Sequence, residues 1–418
     1  ADVLASTPPA ADGGGEGKSA DWSETFNGHV DARPNGPNAL AFDVTFPGAT
    51  RAYGLPERAT SLNLRDTVAP AAAETAREDS DAGADRSEVA LSEPYRLYNL
   101  DVFEYEHDSP FGLYGSIPVL LAHAPDRLDA RNDDAAAAGG GGAKTSATSA
   151  AYFHNPTETY VDLTRRGETE TTPGASSTPL VSSRWMAESG ALDVFLIPGP
   201  SPSAVLRQYA SLTGATALPP AFALGYHQCR WNYRDEADVA ETDAGFDERD
   251  IPYDVLWLDI EHTDGKRYMT WDAAHFPTPR RMIEDVASRG RKMVAIVDPH
   301  VKRDPNYPAY EEARKRGFFV KKSDGATDFD GWCWPGASAY LDVTSAEVRA
   351  WWAEKFAPEN YPGSTRDLHV WNDMNEPSVF NGPEVTMQKD LVHAGGVEHR
   401  EVHNAFGMYY HAATAEGL

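Results

Sequence analysis

The pattern of apolar positions changes character near residue 222. Upstream, apolar residues fall in short runs of strand length: Ala39–Phe46, Ile117–His123 and Ala191–Ile197, the last closed by Pro198-Gly199-Pro200. Helical spacing is scarce there, so residues 37–200 are expected to form an antiparallel β-sandwich. Ser203–Leu212 then reads as a connecting helix in a linker over 201–221, stopped by Thr213-Gly214 and Pro219-Pro220. From Phe222 strands alternate with helices. Strand Phe222–His227 leads to a helix near Asp235–Gly245, and strand Tyr253–Ile260 to a helix near Pro279–Arg289. Strand Lys292–Val297 leads to a helix near Ala309–Arg316; helix Ser345–Phe356 and strand Leu368–Trp371 follow. Such units predict a parallel sheet with right-handed crossovers, a (β/α)8 barrel first and an open doubly wound sheet second. The fold class is therefore α/β plus β: an N-terminal antiparallel β-sandwich, then the first half of a (β/α)8 TIM barrel over 222–418.

Three stretches break the pattern. Residues 1–36 read as a flexible N-terminal segment, rich in Ala, Gly and Pro at its start. Residues 68–90 are small and charged, and 127–150 contain Ala135–Ala138 followed by Gly139–Gly142. Neither buries enough apolar area to offset ordering, so both are expected as surface insertions in the sandwich.

Composition narrows the function class. A formal charge of -27 repels phosphate backbones and anionic lipid surfaces, so no nucleic-acid partner is expected. No run approaches the roughly 18 apolar residues that span a bilayer, so no membrane insertion is expected either. Two cysteines, Cys229 and Cys333, imply no disulfide framework. Ten Trp and eighteen Tyr suit core packing and, at some positions, stacking against sugar rings.

Barrel chemistry gathers at the C-terminal ends of strands. Here those ends carry Cys229-Arg230-Trp231, Asp259-Ile260-Glu261-His262, Asp298-Pro299-His300 and Asp373. Asp259 closes an apolar run, where a charge is costly unless it meets a ligand or cation. Asp298 reads equally as a ligand contact and as a structural carboxylate near Pro299. Asp373 follows the apolar Leu368–Trp371 and reads equally as a rim carboxylate and as the cap of the next turn. His227, His262, His300, His393, His399 and His403 lack metal-ligand spacing and read as structural, so no metal and no cofactor is expected.

The run Trp371-Asn-Asp-Met-Asn-Glu-Pro-Ser-Val-Phe380 resembles the nucleophile motif of glycoside hydrolase family 31. Gly225–Asp235, Trp257–His262, Gly331–Gly336, Asn381–Thr386 and Glu398–His403 resemble other runs of that family in the same order. Tyr53–Arg58, Leu97–Phe103 and Tyr114–Pro118 resemble its N-terminal sandwich. The likeness is to the branch that trims glucose from N-linked glycans in the endoplasmic reticulum lumen. Cys229 departs from it, where members more often carry Ser.

The resemblance implies a retaining α-glucosidase with Asp373 as nucleophile and no cofactor. It implies that Asp259 bonds a hydroxyl of the terminal glucose, with Trp231, Ile260, Trp334, Trp371 and Met374 forming the pocket around it. Phe153 and Tyr160 are candidates to overhang that pocket, and Glu376 is read as a turn carboxylate. The implied partners are a glucosylated oligosaccharide or glycoprotein and a regulatory β-subunit. The general acid/base is expected beyond residue 418, which makes the chain a fragment. A maltose- or starch-type α-glucosidase of the same family is the alternative, and a catalytically incomplete carbohydrate-binding fragment the next.

Overall fold

The computed structural model describes residues 2–6, 23–26, 29–32, 38–67, 93–127, 145–166 and 178–418. Contacts divide the chain into two compact units, one of Ala1–Ser23 with Ala32–Thr216 and one of Glu24–Asp31 with Ala217–Leu418.

The strands before residue 200 are β1 (Asp2–Ser6), β2 (Ser23–Phe26), β3 (His29–Ala32), β4 (Leu40–Pro47), β5 (Arg51–Gly54) and β6 (Tyr95–Leu97). They continue with β7 (Val119–Arg127), β8 (Thr145–Phe153), β9 (Thr159–Arg166), β10 (Leu180–Ala187) and β11 (Val194–Ile197). The first unit contains two antiparallel sheets, ordered β1-β4-β10-β9-β6 and β11-β8-β7-β5. The alternation in β4 explains the packing, because Phe42, Val44 and Phe46 all turn inward and are buried. Phe42 stacks on Trp185 at 5.9 Å and meets Phe153 edge-on at 4.9 Å. Phe153 is thus a core residue, not a pocket residue: on a half-buried strand the aromatic at an inward position serves the sheet first. Helix α1 (Pro202–Thr213) follows, capped by Ser201, whose hydroxyl accepts the amide of Ala204 at 3.2 Å.

Two expectations about flexible stretches need correction. Among the described residues of 1–36 lie the strands β1, β2 and β3, and β1 pairs along β4 from Asp2↔Thr45 to Ser6↔Ala41. The pairing supplies backbone bonds that a weak local pattern does not advertise. Within 127–150, Thr145–Ala150 belong to β8, which pairs with β7 and β11. Residues 68–90 lie outside the described residues.

In the second unit the chain runs β12 (His227–Arg230), α2 (Glu236–Glu248), β13 (Val255–Leu258), α3 (Pro279–Ala287), β14 (Lys292–Ile296) and β15 (His300–Lys302). It continues through α4 (Pro308–Arg316), β16 (Gly331–Cys333), β17 (Gly336–Tyr340), α5 (Ala346–Glu354), β18 (Leu368–Trp371) and α6 (His403–Gly417). Strands β12-β13-β14-β18 form one parallel sheet in that order. Leu256, Met293 and Ala295 on its strands and Ile283, Trp351, Phe406 and Tyr410 on its helices share one apolar core. The first strand lies later than Phe222–His227, because Ala221–Leu224 is a 3-10 turn. Gly225 explains the shift: a Cβ there would stand 1.9 Å from the Asp254 carboxylate, which accepts the amide of Tyr226 at 3.0 Å. A small antiparallel sheet, β15-β17-β16, branches from the end of β14.

Candidate active site

Parallel register sets the geometry of the rim. Arg230 pairs with Leu258, Leu258 with Ala295, and Ile296 with Trp371. Trp231 and Asp259 therefore leave their strands side by side, and Asp373 leaves β18 two residues beyond Trp371. Neighbouring strands are about 4.8 Å apart, so these residues crowd one end of one sheet.

Asp259 caps the short turn Ile260–His262, its carboxylate accepting the amide of Ile260 at 2.7 Å. Burial raises its pKa, opposed by that hydrogen bond and reinforced by the charges of Asp298 and Glu261. Ile260 is buried in the apolar core beneath it. His262 donates from Nδ1 to the Asp259 carbonyl at 2.7 Å and packs on Trp271. Burial holds its pKa down to about 4, so the ring is neutral.

Asp373 is half-buried in a loop fixed from three sides. The amide of Val297, just past β14, donates to the carbonyl of Trp371 at 2.8 Å. The Asn372 side chain donates to the carbonyl of Val297 at 2.7 Å, and that of Asn375 to the carbonyl of Asp373 at 2.6 Å. Met374 is buried with φ +63°, a left-handed conformation that L residues hold only under constraint. The constraint includes α6, where a Cβ on Gly407 would lie 2.4 Å from the carbonyl oxygen of Asn375.

Several indole rings lie at the same strand ends. Trp371 meets Trp257 edge-on at 5.3 Å. Trp334, in the turn between β16 and β17, lies 5.9 Å from Trp231 and meets Phe380 edge-on at 4.7 Å. Trp231 is 65% exposed, an unusual cost for an indole unless something else covers it. Its Nε1 donates to Glu261 at 3.4 Å, and Glu261 also pairs with Lys266.

The structure thus gathers Trp231, Asp259, Trp334, Trp371 and Asp373 around the strand ends, with Ile260 and Met374 packed beneath. Phe380, Trp257 and Asn372 join them and were not singled out from sequence; only the position of Asn372 beside Asp373 hinted at a role. Tyr160 lies in the sandwich, its hydroxyl donating to Glu158 at 2.8 Å. Three of the candidate structural histidines form a buried chain: Asp342 accepts from His393 at 2.7 Å, and His393, His399 and His403 follow at 3.0 and 2.8 Å. Among the described residues no group of three or more His, Cys, Asp or Glu side chains is arranged to hold a metal ion.

Residues 216–418 match the glycosyl hydrolases family 31 TIM-barrel domain, and residues 10–129 the glycosyl hydrolase 31 N-terminal galactose mutarotase-like domain. The chain belongs to glycoside hydrolase family 31. This family 31 chain is 53% identical over 400 residues to a probable glucan 1,3-alpha-glucosidase of Oryza sativa subsp. japonica, covering 95% of this chain and 39% of that protein. It is 51% identical over 405 residues to the neutral alpha-glucosidase AB of Homo sapiens, covering 95% of this chain and 38% of that one. Its fold superposes with a TM-score of 0.84 and 41% identity on a solved ER glucosidase II heterodimeric complex, consisting of a catalytic subunit and the binding domain of a regulatory subunit. That match covers 99% of this chain and 41% of the solved one. The chain thus spans about two fifths of the length of these relatives.

Proposed function

We propose that this chain supplies the sandwich and the nucleophile-bearing strands of a retaining α-glucosidase, with Asp373 as nucleophile. The observation that carries the reading is the position of Asp373: just past the C-terminal end of a parallel strand, in a loop held by Val297, Asn372 and Gly407, at the same sheet end as Asp259 and two strands from it. Retention requires a carboxylate that attacks the anomeric carbon and a carboxylic acid about 5–5.5 Å away that protonates the departing oxygen. Asp373 forms the glycosyl ester; the acid, as its conjugate base, then takes a proton from the water that attacks the same carbon. Family membership supports placing that acid in sequence outside these 418 residues.

Asp259 accepts a hydroxyl of the terminal glucose. Trp231, Trp334 and Trp371 offer faces to its C–H groups over a floor of Ile260 and Met374. No cofactor takes part. The relatives called probable glucan 1,3-alpha-glucosidases support α-1,3-linked glucose as the substrate, and the resemblance supports N-linked glycans of the endoplasmic reticulum as its carrier. The solved heterodimer supports a regulatory subunit as partner. Proton NMR of the first sugar released by the full-length enzyme tests the chemistry: α-glucose appears first if the anomeric centre is retained, and early β-glucose sinks the reading.

A further inference from the structure

Beneath the rim lies a buried polar cluster that the reaction above does not use. The Asp298 side chain is fully enclosed. Its Oδ2 accepts the hydroxyl of Tyr268 at 2.5 Å, and the same hydroxyl lies 2.8 Å from His300 Nε2. A phenol has one proton, so the two contacts order the chain. His300 Nε2–H donates to the Tyr268 oxygen, and the Tyr268 hydroxyl donates to Asp298. Burial and the Asp298 charge hold the Tyr268 pKa well above its ordinary value, so the phenol keeps the proton it donates. Asp298 Oδ1 and His300 Nδ1 are buried without a partner. A group this enclosed and only partly satisfied is expensive, and a purely structural role is served more cheaply by apolar residues.

Each member belongs to a different part of the rim. Tyr268 lies in the loop that begins at Asp259, and its carbonyl accepts the hydroxyl of Tyr307 at 2.8 Å. Asp298 follows Val297, whose backbone bonds Trp371 and Asn372 next to Asp373. His300 opens β15, which pairs with β17 and so carries the turn bearing Trp334.

We propose that Asp298 is a positioning residue for sugar cleavage, joining through Tyr268 and His300 the three loops that carry Asp259, Asp373 and Trp334. The inference rests on the α-glucosidase reading. Asp298 acts by geometry and by charge: the hydrogen bonds fix the loops, and its carboxylate is among the causes that raise the Asp259 pKa, after burial. Removing the charge then makes Asp259 easier to ionise.

The test uses full-length enzyme with an α-glucoside substrate. Tyr268→Phe removes one hydroxyl and keeps the ring; kcat falls at least fivefold while KM stays within about twofold. Asp298→Asn lowers kcat as well and moves the acid limb of the kcat/KM profile to lower pH, a change that a merely structural role does not produce. Tyr268→Phe with wild-type kcat, or Asp298→Asn with a wild-type acid limb, overturns the inference. If Asp298→Asn does not accumulate as folded protein, Tyr268→Phe decides alone. Wild-type enzyme that releases no glucose refutes the α-glucosidase reading itself, whereas active wild type with unaltered variants refutes only the role of Asp298.

Discussion

The carboxamide of Asn372 donates to the backbone carbonyl of Val297 at 2.7 Å, tying the residue before Asp373 to the end of the neighbouring strand. The bond runs between two loops at the rim, so it fixes the depth at which the Asp373 backbone sits. Asn372→Ala leaves the carbonyl without its donor and the loop without its tie. A lost buried hydrogen bond costs about 1–3 kcal/mol. If that cost falls on nucleophile placement, kcat drops roughly 5- to 150-fold with KM little changed. Steady-state kinetics on the purified variant checks this; a rise in KM alone would assign Asn372 to substrate binding instead.

The N-terminal segment makes a second prediction. Asp31 receives two bonds from the Arg400 guanidinium, at 3.0 and 2.6 Å, and Arg400 also donates to Glu398 at 2.6 Å. All three groups are buried, and Asp31 is 369 residues away in sequence from its partner. Breaking a buried pair by removing one partner costs about 3–5 kcal/mol, because the other charge is left enclosed. Asp31→Ala should therefore lower the urea midpoint of the catalytic unit clearly. A midpoint equal to that of wild type would mean that the segment is an appendage.

Acid should weaken the fold through His262. Its pKa is depressed by burial from an ordinary 6.5 to about 4. Below pH 6.5 the unfolded chain takes up a proton that the folded chain refuses, so stability is lost as pH falls from 6.5 toward 4. The loss from this group is at most about 3 kcal/mol. His262→Phe removes that part of the slope, although it also removes the donor to the Asp259 carbonyl. Urea midpoints at pH 7 and pH 4.5 for both proteins measure it. Equal drops in wild type and variant would contradict the assignment.

How much was legible in the sequence follows from which contacts are local. Asp259 stood out because it closes an apolar strand, where a charge is conspicuous by itself; Asp373, two residues past its strand, read equally as a turn cap and was singled out by the Trp371–Phe380 motif. The helices after 235 were readable from apolar spacing, and α2 begins with Asp235 as its cap, accepting the amide of Asp238 at 2.8 Å. The start of β12 was not readable, because what converts Phe222–Gly225 into a turn is the approach of Asp254, 29 residues beyond Gly225. Strand β1 was missed for the same reason: its partner β4 is distant and supplies what the local pattern lacks. Phe153 was misplaced because an aromatic on a strand looks the same from sequence whether it faces a core or a pocket. Tyr268 gave no signal, since its meaning lies in meeting Asp298 across 30 positions, and His300 was read only as a structural histidine at a strand end.

Exposure in the second unit predicts how 1–418 behaves by itself. Strands β12 and β18 are the edges of the parallel sheet, and Leu218, Leu224 and Tyr226 near β12 are 92%, 73% and 51% exposed. Unpaired edges beside exposed apolar side chains favour association. Residues 1–418 alone should bind ANS and self-associate in sedimentation, with hydrolysis of a chromogenic α-glucoside near background. A monomeric, cooperatively melting and fully active 1–418 would send the search for the acid to Glu261, Asp298 and Glu376.

The central claim is that Asp373 forms the bond to sugar, and trapping that bond tests it most directly. A fluorinated α-glucosyl donor, whose ester forms faster than it hydrolyses, is incubated with the full-length enzyme. The labelled protein is then digested and mapped by mass spectrometry. The account predicts one added glycosyl group per chain, on the peptide containing Trp371-Asn372-Asp373 and localised by fragmentation to Asp373, with none on Asp373→Asn. A stable adduct on Asp259, Glu376 or any other carboxylate, or time-dependent inactivation that persists in Asp373→Asn, would contradict it.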